Sequence, residues 1–195
     1  MRSASITRKT AETDITLSLA IRDDRERGSF SGTSGIGFFD HMLNALAVHG
    51  GLDITLSCKG DLQVDCHHTI EDIGIVLGKA LADAVGDGRG IVRFADIHLP
   101  MDEALCRCAL DVGGRAFLVF DADFKAASIG AYDTQMTEEF MRAFAFNAGI
   151  TLHMSVLYGE NDHHKTEACY KALAKCLQTA LRTVSEAIPS SKGVL

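Results

Sequence analysis

Several features are missing from this 195-residue chain, and each absence narrows what it does. No apolar run approaches the roughly 18 residues that cross a bilayer. Met1 to Lys9 mixes Arg2, Arg8 and Lys9 with serine and threonine and has no apolar stretch of a secretory signal, so a cytoplasmic location is expected. The six cysteines, Cys58, Cys66, Cys106, Cys108, Cys169 and Cys176, contain no CxxC pair, which argues against a zinc ribbon or a redox couple and leaves reduced, mostly buried thiols. There is no basic stripe and the formal net charge is −7, which argues against nucleic acid as the main partner. An anionic small substrate would then need positive charge gathered locally. Hydrophobic residues at 47% and charged residues at 23% give the balance of a globular chain with a real core.

What is present is a five-residue pattern that occurs twice, 96 positions apart (67 to 163): His67-His68-Thr69-Ile70-Glu71 and His163-His164-Lys165-Thr166-Glu167. On a helix the first His and the Glu at i+4 lie about 40° apart, whereas the second His is turned about 100° from the first. The first His and the Glu can chelate one ion, and the second His points to another. Two such turns facing each other hold two metals. His67 with Glu71 serves one and His163 with Glu167 the other, with His68 and His164 crossing between them. The spacing leaves open which helix supplies which crossed ligand. A lone histidine pair is weak evidence of a ligand site, but here the pattern repeats together with its Glu.

The repeat extends beyond the ligands. In the first half, Asp14 to Ile21 and Gly28 to Ser34 read as strands, Phe38 to His49 as a helix capped by Gly50-Gly51, Leu52 to Cys58 as a strand and Thr69 to Val85 as a helix. In the second half, Ala104 to Val112 and Ala116 to Asp121 read as strands around Gly113-Gly114. Glu138 to Gly149 is then a helix, Thr151 to Leu157 a strand and His164 to Ala187 a helix. Leu77, Lys79 and Leu81 recur as Leu173, Lys175 and Leu177 at the same offset. An α+β fold of two duplicated β-β-α-β-α halves, residues 1–90 and 91–195, follows as one unit. Helices back one face of each sheet, and the other face is expected to be covered by the other half.

The breaks in the repeat are also informative. His41, one turn into the first helix, and His153, in the strand after the third, have no histidine counterparts. Each alone would be an ordinary core histidine, but a dinuclear site with room for one more protein ligand per ion makes them candidates. Arg93 and Arg115 flank the first strand of the second half, Lys171 lies one turn beyond Glu167, and Ser190-Ser191-Lys192 follow Pro189. Individually these are surface groups; together they could hold a phosphate. Mixed His and Glu ligands suit octahedral manganese, iron, cobalt or nickel, while raw affinity favours zinc or copper. A dinuclear phosphatase and a metal-dependent assembly without chemistry stand beside a lyase as readings of such a site. The ferritin-like Glu-x-x-His order runs the other way and is disfavoured.

The residues Arg8 to Thr13, Phe39-Asp40-His41-Met42-Leu43 with His49-Gly50, His67 to Asp72, His163 to Ala168 and Ser190 to Leu195 together resemble the imidazoleglycerol-phosphate dehydratase family. The resemblance covers nearly the whole chain. It implies halves similar to ribosomal protein S5 domain 2, and a lyase of L-histidine biosynthesis that dehydrates D-erythro-imidazoleglycerol phosphate to imidazoleacetol phosphate. The implied route passes through a metal-bound imidazolate and a diazafulvene-like intermediate. It further implies two Mn2+ per active site, held by His41, His67, His68, Glu71, His153, His163, His164 and Glu167. Substrate contacts fall on Glu12, His49, Arg93, Arg115, Lys171, Ser190, Ser191 and Lys192, and Glu167, Glu12 and Glu71 are the acid/base candidates. The family commonly has Gln where this chain has Ala45, which removes one phosphate-side contact. Its members form shells of twenty-four subunits with sites completed by neighbours, which makes a homo-oligomer, and neither nucleic acid nor membrane, the expected partner.

Overall fold

The strand sequence TDITLSLAI alternates buried and more exposed side chains along its whole length, so it offers one apolar face, and Leu52–Gly60 and Ala104–Asp111 follow it. The computed structural model describes residues 2–22 and 26–192. Its first half runs β1 (Arg2–Lys9), β2 (Thr13–Ile21), β3 (Ser29–Thr33), α1 (Gly37–Gly50), β4 (Leu52–Gly60) and α2 (His67–Val85). The second runs β5 (Phe94–Met101), β6 (Ala104–Asp111), β7 (Phe117–Asp121), a short hairpin of β8 (Ser128–Ile129) and β9 (Tyr132–Asp133), α3 (Met136–Ala148), β10 (Thr151–Tyr158) and α4 (Asp162–Ala180). The sheets have matching orders, β1-β2-β4-β3 and β5-β6-β10-β7, with β3 parallel to β4 and β7 parallel to β10. The expected β-β-α-β-α order therefore recurs, each copy preceded by one more strand. Those two strands, β1 and β5, escaped the sequence reading because they are edge strands. Both alternate strictly, but neither has a fully buried residue, β1 has polar side chains on both faces and β5 carries Pro100, so neither stands out as an apolar strand.

The halves meet through their helices. Phe39 of α1 packs 5.4 Å from Phe140 of α3 and 6.4 Å from Tyr170 of α4, with Tyr132 6.1 Å away, all four rings fully buried. Gly51 after α1 lies beside Gln178 near the end of α4, while His41 near the start of α1 lies beside His163, so these helices run parallel. Gly74 and Gly78 of α2 meet Phe140 to Ala143 and Phe144 to Ala148 of α3 in the same sense. All four helices therefore begin at one end of the molecule. This corrects the expectation that each sheet's second face is covered by the other half: four helices fill the space between the sheets, and the outer sheet faces stay open. The first outer face carries hydroxyls such as Ser5, Ser18, Thr7 and Thr16, whereas the second exposes Phe94, Phe117, Val119 and Leu157.

The last helix is shorter than expected, ending at Ala180 rather than Ala187. Residues 180–184 instead pair with the link between the halves: Arg93 N donates to Ala180 O, Val92 N to Arg182 O and Val184 N to Gly90 O. Those backbone groups cannot serve a helix and this pairing together. Residues 193–195 of the expected tail lie outside the described residues. Among the described residues no helix is long and apolar enough to cross a membrane.

A Cβ on Gly78 would sit 2.6 Å from Phe144 O and 2.9 Å from Ala148 N, both backbone atoms. Alanine in an open helix would gain about 1 kcal/mol over glycine, but here α2 and α3 would have to separate. Gly78→Ala is expected to lower stability by about 1–3 kcal/mol in denaturant unfolding.

Candidate metal centre

Parallel packing of α1 on α4 sets His41 against the first turn of α4. The Nε2 atoms of His163 and His41 lie 3.2 Å and 3.6 Å from Glu167 Oε2, and ligand atoms of these three residues are all within 4.8 Å of one another. Among the described residues this is the only group of three or more such ligands so close. Two imidazoles and a carboxylate fit a borderline divalent cation. Glu167 is buried, which opposes its ionisation, but a 2.6 Å bond from Lys171 and the nearby charges of Lys171, His41 and His163 outweigh burial and hold its pKa below the ordinary value. It is an anion ready for a cation. In α2, His67 Nε2 and Glu71 Oε2 are 3.5 Å apart, the same i,i+4 pairing, with no third ligand gathered to it among the described residues.

The second histidine of each motif is turned toward a carboxylate that the sequence reading missed. His68 Nδ1 is 3.0 Å from Asp61 Oδ2, and His164 Nδ1 is 2.7 Å from Glu103 Oε2. A carboxylate only accepts, which assigns the proton to Nδ1 and leaves the Nε2 lone pair for a metal. These bonds raise both histidine pKa values. Glu103 is pushed down to about 2, first by the backbone N–H of Asn161 and then by His164. Asp61 follows β4 and Glu103 sits in the β5–β6 turn, at offsets unrelated to HHxxE, so no spacing rule could find them. Asp72 was also missed as a participant: it takes a 2.9 Å bond from Arg8 and a 2.5 Å bond from Thr13, holding the β1–β2 turn so that Glu12 Oε1 lies 3.7 Å from His68 Nε2.

The remaining expected site residues divide into three places. His49 on α1 faces the Lys171 side of α4; burial, then Lys171, Lys175 and Arg27, keep its pKa below the ordinary value. His153 is exposed on the outer face of the second sheet, level with Ala109 and Val119, and does not join the cluster of three. Arg93, Arg115, Ser190, Ser191 and Lys192 lie at the far end of the helices. Arg93 donates to both oxygens of Asp111 at 2.7 Å and 3.1 Å and to Pro189 O at 2.8 Å, tethering the tail, while Arg115 reaches Asp111 at 3.7 Å and is largely exposed. Arg93 N bonds Ala180 O, and Ala180 stands 17 residues after His163 (163 to 180), about 25 Å along the helix.

Comparison with known proteins gives a consistent result. The family model described as imidazoleglycerol-phosphate dehydratase matches residues 34–177. The imidazoleglycerol-phosphate dehydratase of Azorhizobium caulinodans is 53% identical over 198 residues, covering 100% of this chain and 99% of that one. The protein of that name from Methylorubrum extorquens is 52% identical with 100% of both chains covered. The crystal structure of imidazoleglycerol-phosphate dehydratase from Staphylococcus aureus superposes with a TM-score of 0.83 at 35% identity, covering 93% of this chain and 99% of that one. The structure of IGPD from Pyrococcus furiosus in complex with (S)-C348 gives 0.82 at 34%, covering 97% and 100%.

Substituting Asp61→Asn or Glu103→Gln neutralises the carboxylate that orients a histidine and leaves only the weaker amide oxygen to accept. Each is expected to weaken divalent-metal binding roughly 10- to 100-fold in calorimetric titrations of chelator-stripped protein, with helical circular dichroism unchanged.

Proposed function

The chain belongs to the imidazoleglycerol-phosphate dehydratase family, hydro-lyases of histidine biosynthesis, and from that premise we propose how its residues divide the reaction. The observation that carries the reading is the His41, His163 and Glu167 cluster at the shared starting end of α1 and α4. His41, His67, His68, Glu71, His153, His163, His164 and Glu167 would hold two ions per site, with Mn2+ as the metal. When bound, the ions supply Lewis-acid stabilisation of negative charge on the substrate's imidazole ring. The C2 hydrogen of D-erythro-imidazoleglycerol phosphate is not α to a carbonyl, so a base alone does not remove it readily. With its N–H proton removed, the ring instead expels the C3 hydroxyl, which takes a proton from a neighbouring acid and leaves as water, giving a diazafulvene-like species. Loss of the C2 proton then gives an enol, which takes a proton at C3 and gives up its hydroxyl proton to become the ketone imidazoleacetol phosphate. Glu167, kept ionised by Lys171, is suited to accept a proton. Glu12, beside His68, and Glu71 are the other acid/base candidates.

Phosphate would be held by Arg93, Arg115, Lys171, His49 and the tail Ser190-Ser191-Lys192. About 25 Å of helix between His163 and Arg93 is too far for one three-carbon substrate to touch both. His153, too, faces outward among exposed apolar side chains. Both observations support sites assembled from neighbouring copies, in a cytoplasmic shell of twenty-four subunits.

Metal-stripped protein given manganese and this substrate is expected to release a ketone that retains its phosphate; free inorganic phosphate would mark a hydrolase instead. Glu167→Gln is expected to lower kcat roughly 100-fold or more, and near-normal turnover with metal still bound would remove its proton role. Arg115→Ala and His163→Ala should each be inactive alone. Unfolded together and refolded as a mixture, they should recover on the order of a quarter of wild-type activity, because random assembly leaves that share of sites with intact groups from both chains. A mixture as inactive as its components would place both groups in one chain's site.

A further inference from the structure

The two HHxxE turns are alike in sequence but not in how they are held. The first turn of α4 begins with Asn161, whose side chain accepts from the N–H groups of His163 and His164, and Glu103 accepts from Glu160 N and Asn161 N at 3.0 Å and 2.7 Å. Asp162 and Lys165 flank the histidines and form an ion pair with each other, their side chains 6% and 3% exposed. Asp162 also accepts from Lys125 N at 2.9 Å and Ala126 N at 2.6 Å, and Lys165 Nζ donates to Asp123 O at 2.5 Å. Together they fasten the 123–126 segment to the turn that carries His163 and His164. Ninety-six positions earlier the same places hold Cys66 and Thr69, which form no such pair. The turn of α2 does have a counterpart of Asn161, since Asp65 accepts from His67 N at 2.7 Å, but it has nothing like the Asp162–Lys165 pair, and Glu71 is 43% exposed where Glu167 is 7%.

A buried ion pair is a poor device for stability, because desolvating both charges offsets most of their attraction. It is a good device for fixing geometry. The first turn of a helix is where the backbone opens at least free energy, and ligands held in place before binding lose less entropy when the ion arrives. Three ligands already within 4.8 Å at α4, against two at α2, make the sites unequal. We propose that the two metal ions load in order, the α4 centre of His41, His163 and Glu167 first, and that Asp162 and Lys165 are positioning residues that make it the tighter site. This rests on the two-metal reading above.

The test is a manganese titration of the chelator-stripped full chain, following free Mn2+ by its electron paramagnetic resonance signal. The expected result is two classes of equal stoichiometry whose Kd values differ roughly tenfold or more. His67→Ala should keep the tight class and His41→Ala should lose it. Asp162→Ala with Lys165→Leu, which removes both charges, should weaken the tight class roughly tenfold while leaving the weaker class unchanged. A merely structural pair would not move the metal Kd, and that result would overturn the positioning role. Uptake of both ions in one step, or loss of the tight class in His67→Ala with retention in His41→Ala, would overturn the loading order, and these two single variants decide it even should the double variant not fold. Absence of any manganese binding would overturn the two-metal reading and this inference with it.

Discussion

The one-sided alternation of the strands is the constraint on which the rest depends. A sheet with a single apolar face must bury that face, and here two such sheets bury theirs against a shared layer of four helices. The duplication then places equivalent helices in equivalent positions, and parallel packing of α1 with α4 and of α2 with α3 gathers all four helix starts at one end. The site follows from that geometry. His41 needs no sequence relationship to Glu167; it needs α1 to lie on α4 in the register that Phe39, Tyr132, Phe140 and Tyr170 impose.

Electrostatics at this end is arranged for a cation with an anion beyond it. Glu167, Asp61 and Glu103 each hold or orient a histidine nitrogen, while burial, and then Lys171, Lys175 and Arg27, depress the pKa of His49 further along the same helices. Negative groups gather around the candidate metal centre and positive groups lie beyond them along the same helices. The dehydratase relatives share this architecture at TM-scores above 0.8 despite about 35% identity, as expected when packing fixes the positions of a few ligands and tolerates change elsewhere.

Open outer sheet faces complement the distance between the two groups of site residues. One outer face is lined with hydroxyls that bond each other across strands; the second shows Phe94, Phe117, Val119 and Leu157 around His153. A chain that carries a histidine–glutamate cluster fit for a metal at one end of its helices and guanidinium groups at the other is suited to repetition, since each copy can offer one end to a neighbour's opposite end.

The HHxxE repeat, the duplicated order of elements and the pairing of His67 with Glu71 and His163 with Glu167 were legible in the sequence, because they depend on local periodicity: 3.6 residues per turn brings i and i+4 together wherever the helix lies. The strands β1 and β5 were not, because their alternation is only between half-buried and exposed residues, with polar side chains on both faces of β1 and a proline in β5. Nor were the end of α4 at Ala180, the carboxylates Asp61 and Glu103, or the Asp162–Lys165 clamp. Each of these depends on partners 7 to 61 residues away or on a loop brought back by the fold. The sequence by itself determined which side chains can bind metal and that they come in two sets. Only the tertiary structure decided that His41 joins the α4 set, that His153 and Arg93 do not, and that one set is held more firmly than the other, because those facts are set by which helices pack together and not by order along the chain.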